Sequence, residues 1–572
     1  MLALRCAVVA TLVVAGPALA ASNDLLVVHG ITGRSGGTLV YAQRNGPKSF
    51  NPVIASDNAS REVLHRLVGD LIHINRATQL TEPALAKSWT VSPDGLHYVL
   101  ELRHGVNFSD GHAFDADDVV FSFQVYLDEK VGSPQRDLLI LNGKPIAVRK
   151  LDSYKVAFDL PKPYAAAERL FDGFAILPHH KLEAAYRNGK LSEAWSLSAP
   201  ASDIVGLGPF RLKQFVAGER VVLERNPHYW KSDEAGTQLP YLAEIDFVLA
   251  GSEDIQVMRF QSAESDVISR VSAMNFSVLG KNQARRGYTL TDVGPGLESS
   301  VLFFNLDETA AKAGGLAYLR RESFRRAVSL AIDRDALVHL VYQGRAAAMS
   351  GLIPPGDKAW IDTKLPSIVH SIPAAKESLR ADGFTWSATG SLLDPAGKPV
   401  EFSIVIGAGN TDRLQMATLI QEDLKPLGMN VHVAPLEFAS LLNRVFETHD
   451  YEACILSLSE ADADPNTEMA VLLSSSGNHL WHPSQKTPAT AWEQEIDRLM
   501  ESQMTERDHT QRKRLFDRVQ EILMDKLPLI PLVSPHILTG ARGELGNFRP
   551  AIMDHYALWN IEELYWRSES RR

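Results

Sequence analysis

Four carboxylates crowd one short stretch, LSLSEADADPNTEM from Leu456, where Glu460, Asp462, Asp464 and Glu468 fall within nine residues. Acids at that density have three uses: a calcium loop, a solvated turn, or a wall that receives a cationic ligand. In a calcium loop Asp462, Asp464 and Asn466 would stand at positions one, three and five. The sixth position, however, holds Thr467 where the tight turn needs Gly, and the twelfth holds Leu473 where a bidentate Glu belongs. The calcium reading fails on its ligands. The turn and the ligand-receiving wall stay open, because a buried carboxylate is costly unless paired and a ligand ammonium group would offset that cost.

Other chemistry is scarcer. GRSGG at Gly33 to Gly37 matches the G-x-S-x-G nucleophile pattern, with Ser35 as the serine, but it precedes the strand-like TLVYA instead of joining a strand to a helix. His179 and His180 are adjacent, so their side chains diverge on a helix and make a poor metal pair. No H-E-x-x-H, no paired C-x-x-C and no G-x-x-x-x-G-K-[ST] occurs, so zinc-protease and nucleotide-hydrolase chemistry lack their ligands. Neither metal nor cofactor is expected, and the chain reads as a non-enzyme.

The elements that must position these residues are legible from pattern. SPDGLHYVLELRHGVNFSDG from Ser92 is a Pro-Asp-Gly turn followed by an alternating strand with Tyr98, Leu100 and Leu102 on one face. Asp115 and Asp118 then stand as cap and third residue of a helix carrying Val119, Val120, Phe123 and Leu127. RVVLER from Arg220 and the run from Leu239 supply two strands of a mixed sheet. Phe324, Ala327, Val328 and Ala331 mark a helix, and Asp333 caps a second one. EFSIVIGAGNTDRLQMATLIQEDLKPLGMNVHVAPL reads as a βαβ crossover, with Leu414, Ala417, Ile420, Leu424 and Leu427 on the buried stripe. Ligands collect at the carboxyl ends of such strands. Asn410 sits there, either as a helix cap or as a ligand contact or both.

The first twenty residues carry one Arg, a short apolar run and an Ala18-Leu19-Ala20 cleavage pattern, so an exported chain cut after Ala20 is expected, with the periplasm as destination. Cys6 lies inside the apolar run, where it cannot become a lipidated first residue. The mature chain keeps one cysteine, Cys454, which excludes an internal disulfide. With 572 residues, 45% of them hydrophobic, there is apolar surface for two or more cores. The 58 basic against 69 acidic residues, net −11, argue against nucleic acid as a partner.

PALAKSWTVSPDGLHYVLELRHGVNFSDGHAFDADDVVFSF, VGLGPFRLKQFVAGERVVLERNPHYWK, FRRAVSLAIDRDALVHLVYQGRA and LIQEDLKPLGMNV, in that order, resemble the family 5 extracellular solute-binding proteins of ABC importers. The resemblance spans essentially the whole mature chain. It implies an α/β fold of two lobes, of the class II periplasmic-binding-protein type, with an extra inserted domain. Lobe I would comprise residues 21–55, 200–300 and 530–572, its inserted subdomain 56–199, and lobe II 301–529. A ligand would bind between the lobes, and the closed form would be read by a membrane permease with separate ATPase subunits. In peptide-binding members an aspartate of the stretch equivalent to SEADADPNTEM receives the peptide's α-ammonium group. Asp462 is the nearest match, one residue closer to Asp464-Pro465 than the familiar spacing, with Glu460 and Asp464 as alternatives. The stretch from Ser49 resembles the first crossing segment, which places Phe50 and Asn58 near the cleft mouth; for Phe50 a plain core position is the slightly favoured alternative. The expected function is a monomeric periplasmic binding component that captures peptides or similar small polar solutes for an importer. Nickel complexes, opines and oligosaccharides remain alternative ligands, a sensory presenter an alternative role, and a secreted hydrolase using Ser35 the remote one.

Overall fold

The computed structural model describes residues 24–459, 462–483 and 485–568. The leader expectation at residues 1–20 and the candidate Glu460 lie outside the described residues. Two large sheets and one small one organise the chain. The eight-stranded sheet runs Phe210–Val216, Arg220–Arg225, Glu244–Leu249, Thr38–Gln43, Val267–Ser269, Val533–Arg542 and Tyr288–Pro295, with Ala346–Ala348 also paired to Val533–Arg542. Thr38–Gln43 is parallel to both its neighbours and the other pairs are antiparallel, so the sheet is mixed, as read from the sequence. The five-stranded sheet is ordered Asn430–Leu436, Glu401–Gly407, Ala453–Ser459, Glu298–Phe304 and Leu529–Pro531. An antiparallel four-stranded sheet, Ala86–Val91, His97–Leu102, Lys155–Asp159 and Ala147–Asp152, completes the frame.

Local chemistry accounts for the elements. The helix Ala116–Leu127 opens with the reciprocal capping box of Asp115 and Asp118, which satisfies two orphan N–H groups. Of the four stripe residues expected from the sequence, Val119 and Phe123 are buried and Val120 and Leu127 half-buried, while Phe121, Val125 and Tyr126 are buried too, because the helix is packed from more than one side. In the crossover, Glu401–Gly407 pairs in parallel with Asn430–Leu436 from Glu401↔Asn430 to Gly407↔Leu436, and the helix Thr411–Leu424 connects them. Ala417, Ile420, Leu424 and Leu427 are buried as expected, whereas Leu414 is exposed and Met416 takes the inward place. The stripe is rotated at its first turn, where the helix leaves the sheet to face a cleft.

The strand Glu298–Phe304 shows why its sequence is almost wholly apolar. Leu302 and Phe304 join Phe324, Phe402 and Ile404 on one face of the sheet, while Val301 and Phe303 join Cys454, Ile496 and Phe516 on the other. Both faces are covered, so alternation disappears. The two large sheets are tied by paired crossings. The chain passes from one sheet to the other between Pro295 and Glu298 and returns between Pro531 and Val533. Gly296 N–H donates to Pro535 O at 2.9 Å and Leu532 N–H to Ser300 O at 2.9 Å.

One buried acid sets an acid limit on this fold. Glu493, 3% exposed, accepts from Trp481 Nε1 at 3.0 Å, Gln485 Nε2 at 3.1 Å and Thr490 Oγ1 at 2.8 Å, with His479 Nε2 at 3.5 Å. Burial pushes its carboxyl up, but these donors outweigh it and hold the group at about 2. A depressed folded value contributes stability above the ordinary carboxylate range and loses it as pH falls toward 2. The contribution at pH 7 is roughly 3 kcal/mol. Urea unfolding at pH 7 should show Glu493→Gln less stable than wild type by about that amount, and the gap should shrink below pH 4.5 and be lost only as pH falls through about 2; a gap independent of pH would refute the assignment.

Candidate functional site

Between the two large sheets lies a cleft of about 840 Å³. Its floor is the crossing pair, with Glu298 and Ser300 on one strand and Pro535 to Leu538 on the other. One wall carries Gln43 and Arg44 at the end of Thr38–Gln43, and Glu253 in the first turn of the helix Glu253–Gln261. The facing wall carries Tyr342, the crossover-helix residues Asp412 and Arg413, and Ser457. The carboxyl end of the crossover strand thus faces the cavity, as the βαβ topology requires.

Charges of both signs line it, some of them in pairs. Arg44 Nη2 lies 3.0 Å from Glu253 Oε2, and its Nε donates to Gln256 Oε1 at 2.9 Å. Arg413 Nη2 donates to Ser457 Oγ at 2.9 Å. Arg270 lies 3.5 Å from Glu298 and stacks its guanidinium 5.1 Å from the Tyr556 ring centroid. Arg270, His555 and Tyr556 have φ of 54°, 65° and 30°, a left-handed backbone that costs non-glycine residues about 1 kcal/mol or more each. Such strain persists where the surroundings over-determine it, here in a cleft wall. No sequence signal marks these residues, since none is Gly, Asn or Asp.

The sequence-derived candidates separate into three groups. Asn410 and Asn58 line the cleft. Asn410 caps the helix Thr411–Leu424, its Oδ1 accepting from Arg413 N–H at 2.9 Å, and Asn58 accepts from Arg61 Nη2. Phe50 does not reach the cavity: it is fully buried, edge-on to Phe215 with centroids 5.4 Å apart, so its core reading holds. The acidic turn forms the third group. Asp462 is ion-paired with Arg169, accepting from Nε at 2.6 Å and from Nη2, while Arg169 Nη1 donates to Gln79 O at 2.9 Å. Asp464 accepts from both terminal nitrogens of Arg512, at 2.8 and 2.7 Å, and from Asn466 N–H at 3.0 Å. Asp464 holds Arg512 and caps the short helix Pro465–Glu468. Neither Asp462 nor Asp464 lines the cavity.

Two further acidic groupings escaped the sequence. Asp357 is 2% exposed with Oδ1 unpartnered among the described residues. Burial pushes its carboxyl up to about 7, and the Asp464 and Asp462 charges add to that. Asp70, His73 and Asp172 place ligand atoms within 4.8 Å of one another, in a pattern that could hold a metal. Arg76 already fills that role, donating to both oxygens of Asp172 at 3.0 and 2.8 Å, while His73 Nδ1 bonds Asp70 at 2.9 Å. The grouping is a charge network complete in itself.

The nucleophile pattern dissolves. Ser35 is exposed in a loop ahead of the strand Thr38–Gln43, and Gly33 is needed for packing, since a Cβ there would stand 2.3 Å from the Tyr241 ring. His180 stacks on His112 at 3.8 Å and bonds Asp110 at 2.9 Å, apart from His179. No helix among the described residues is long and apolar enough to cross a membrane.

Comparison with known proteins places this architecture. The family model for bacterial extracellular solute-binding proteins, family 5 Middle, matches residues 81–479. A probable ABC transporter-binding protein of Deinococcus radiodurans is 26% identical over 524 residues, covering 88% of this chain and 87% of its own. The dipeptide-binding protein of Escherichia coli K12 is 24% identical over 528 residues, covering 89% and 92%. The structure of the Bacillus subtilis oligopeptide-binding protein AppA in complex with a nonapeptide superposes with a TM-score of 0.71 at 22% identity, covering 94% of this chain and 100% of AppA. The fold is thus the two-lobed periplasmic-binding-protein fold.

The Asp464–Arg512 pair yields a stability expectation. Arg512 is 5% exposed, so Asp464→Ala leaves a buried guanidinium without its counter-charge, at a cost of about 3 to 5 kcal/mol. Replacing both partners, Asp464→Ala with Arg512→Met, should recover part of that in urea unfolding. A single-variant loss below about 1 kcal/mol would show the pair to be dispensable.

Proposed function

The chain belongs to the bacterial extracellular solute-binding proteins of family 5, and from that premise we propose that it is the exported binding component of an ABC importer. It captures peptides in the interlobe cleft as a monomer and delivers them to a permease in the inner membrane. The observation that carries this reading is the cavity of about 840 Å³ walled by both lobes, a volume within the range of small-molecule sites. Guanidinium groups and carboxylates on both walls suit a ligand that carries both charges, as peptides do. Capture needs no catalytic residue: a ligand that touches both walls binds the closed arrangement better and shifts the population toward it. The relatives named for dipeptides and for a bound nonapeptide support peptides as the solute class.

Asp462 does not line that cavity, and it enters this reading as the acceptor of the terminal ammonium of a peptide that extends beyond it. Arg169 occupies both of its oxygens, so a ligand amine has to compete with that guanidinium. Export of the chain and cleavage after Ala20 belong to the same proposal.

Calorimetric titration with di- to penta-peptides, free and N-acetylated, tests it. At least one free-amine peptide should bind wild-type protein saturably at one site, and Asp462→Asn should weaken that binding about tenfold or more. Unchanged binding by the variant would leave Asp462 as the structural partner of Arg169 alone. Binding of a nickel–histidine complex or an oligosaccharide with no peptide bound would overturn the peptide reading.

A further inference from the structure

The peptide reading calls on Asp462, and the protein already fills that acid with a cation of its own. Arg169, in the helix Ala167–Leu170, donates to one carboxylate oxygen through Nε at 2.6 Å and to the other through Nη2. Both oxygens are taken. The other acids whose charge acts most on Arg169 are Asp464 and Asp172, and each has a guanidinium of its own, Arg512 at 2.7 Å and Arg76 at 2.8 Å. Asp462 is the acid that Arg169 serves.

This pair differs from its neighbour in where it sits. Arg512 and Asp464 have side chains 6% and 5% exposed, whereas Arg169 and Asp462 are 15% and 21% exposed, so solvent reaches the contact. The pair also spans a seam. Asp462 lies just past the strand Ala453–Ser459, Arg169 belongs to the segment beside the small sheet, and Ile74, Leu297, Ala463 and Met553 form a small apolar cluster of their own there. A seam closed by so few apolar contacts and a wetted ion pair opens at low cost. Arg169 keeps a second anchor as well, since its Nη1 donates to Gln79 O at 2.9 Å. The guanidinium therefore retains a partner when Asp462 turns to another cation.

A guanidinium and a terminal ammonium ask the same thing of a carboxylate, a charged N–H donor at hydrogen-bond distance. A resident cation then reduces the apparent affinity of every ligand that needs the same acceptor. We infer that Arg169 is an internal stand-in for the ligand's terminal ammonium, a specificity-determining residue that a free-amine peptide displaces from Asp462 and an N-blocked peptide leaves in place. This deepens the peptide-binding reading and rests on it. The resident weakens free-amine peptides by its own hold on Asp462, about fivefold at most for a pair this wet. Removing it should widen the gap between free and blocked peptides. A staple that only holds the seam shut has the opposite signature, because its loss weakens both kinds of peptide alike.

The test takes the tightest-binding member of a di- to penta-peptide panel and its N-acetylated form, titrated by calorimetry into wild type, Arg169→Gln, and Arg169→Gln combined with Asp462→Asn. Melting temperatures confirm folding, and Arg169→Met replaces the glutamine variant should that one not fold. Arg169→Gln should bind the free-amine peptide about three- to fivefold tighter than wild type and the acetylated form no tighter. The gain should vanish in the double variant. Free-amine binding that is unchanged or weaker in folded Arg169→Gln, an equal gain for both peptide forms, or a gain that survives in the double variant would overturn the inference and leave peptide binding intact. If no panel member binds wild type, binding of free-amine peptides by Arg169→Gln alone supports the resident cation, and no binding by either protein overturns both readings together.

Discussion

Everything at the cleft depends on the close approach of three backbone segments at the crossing. Gly356 stands where a Cβ would lie 2.5 Å from the carbonyl oxygens of both Pro295 and Gly296, so no side chain fits. Across from it Gly296 donates to Pro535, and Leu532 to Ser300. These contacts hold the two crossing strands side by side, and those strands are the floor of the cavity. Away from this floor the two sides also touch, through Arg169 on Asp462, Ala165 N–H on Met504 O at 2.7 Å and Arg507 Nη1 on Ser92 O at 3.1 Å. The floor is the hydrogen-bonded joint of the cleft itself, and a joint of that kind is how a hinge transmits a local contact into a change between bodies.

Charge is distributed in two regimes around that joint. Along the acidic turn, acids and guanidiniums from distant parts of the chain are matched: Asp462 with Arg169, Asp464 with Arg512, and farther on Asp172 with Arg76. Pairs of this kind add little net stability relative to apolar packing, but losing one partner is expensive, so they fix which surfaces meet. Inside the cleft the matching is incomplete. A surface that will be desolvated only when occupied can leave acceptors unmet, because water serves them until the ligand arrives.

The local part of the fold was legible because its determinants are local. The capping box of Asp115 and Asp118 and the crossover with Ala417, Ile420 and Leu424 turned inward all sit within a few residues of their partners. Leu414 failed because a periodic stripe cannot tell which turn of a helix leaves the sheet. The acids of the turn were found by type and spacing, yet their partners lie far off in sequence: Arg169 is 293 residues from Asp462, and Arg512 is 48 from Asp464. Arg270 and Tyr556 were invisible for another reason. Their left-handed backbone is imposed by packing and not by a residue type that prefers it.

The Arg169–Asp462 pair has side chains 15% and 21% exposed and joins the segment beside the small sheet to the end of a strand of the five-stranded one. Pairs in such partly wetted places are worth about 1 kcal/mol or less, which is no more than a fivefold change in an equilibrium. A clasp of that strength biases the two bodies without locking them. Its charges also remain within reach of mobile ions, whose screening length is about 8 Å at physiological strength. Dissolved salt thereby becomes a second solute with a vote in the balance between the lobes, acting through a pair that is not part of the cavity lining.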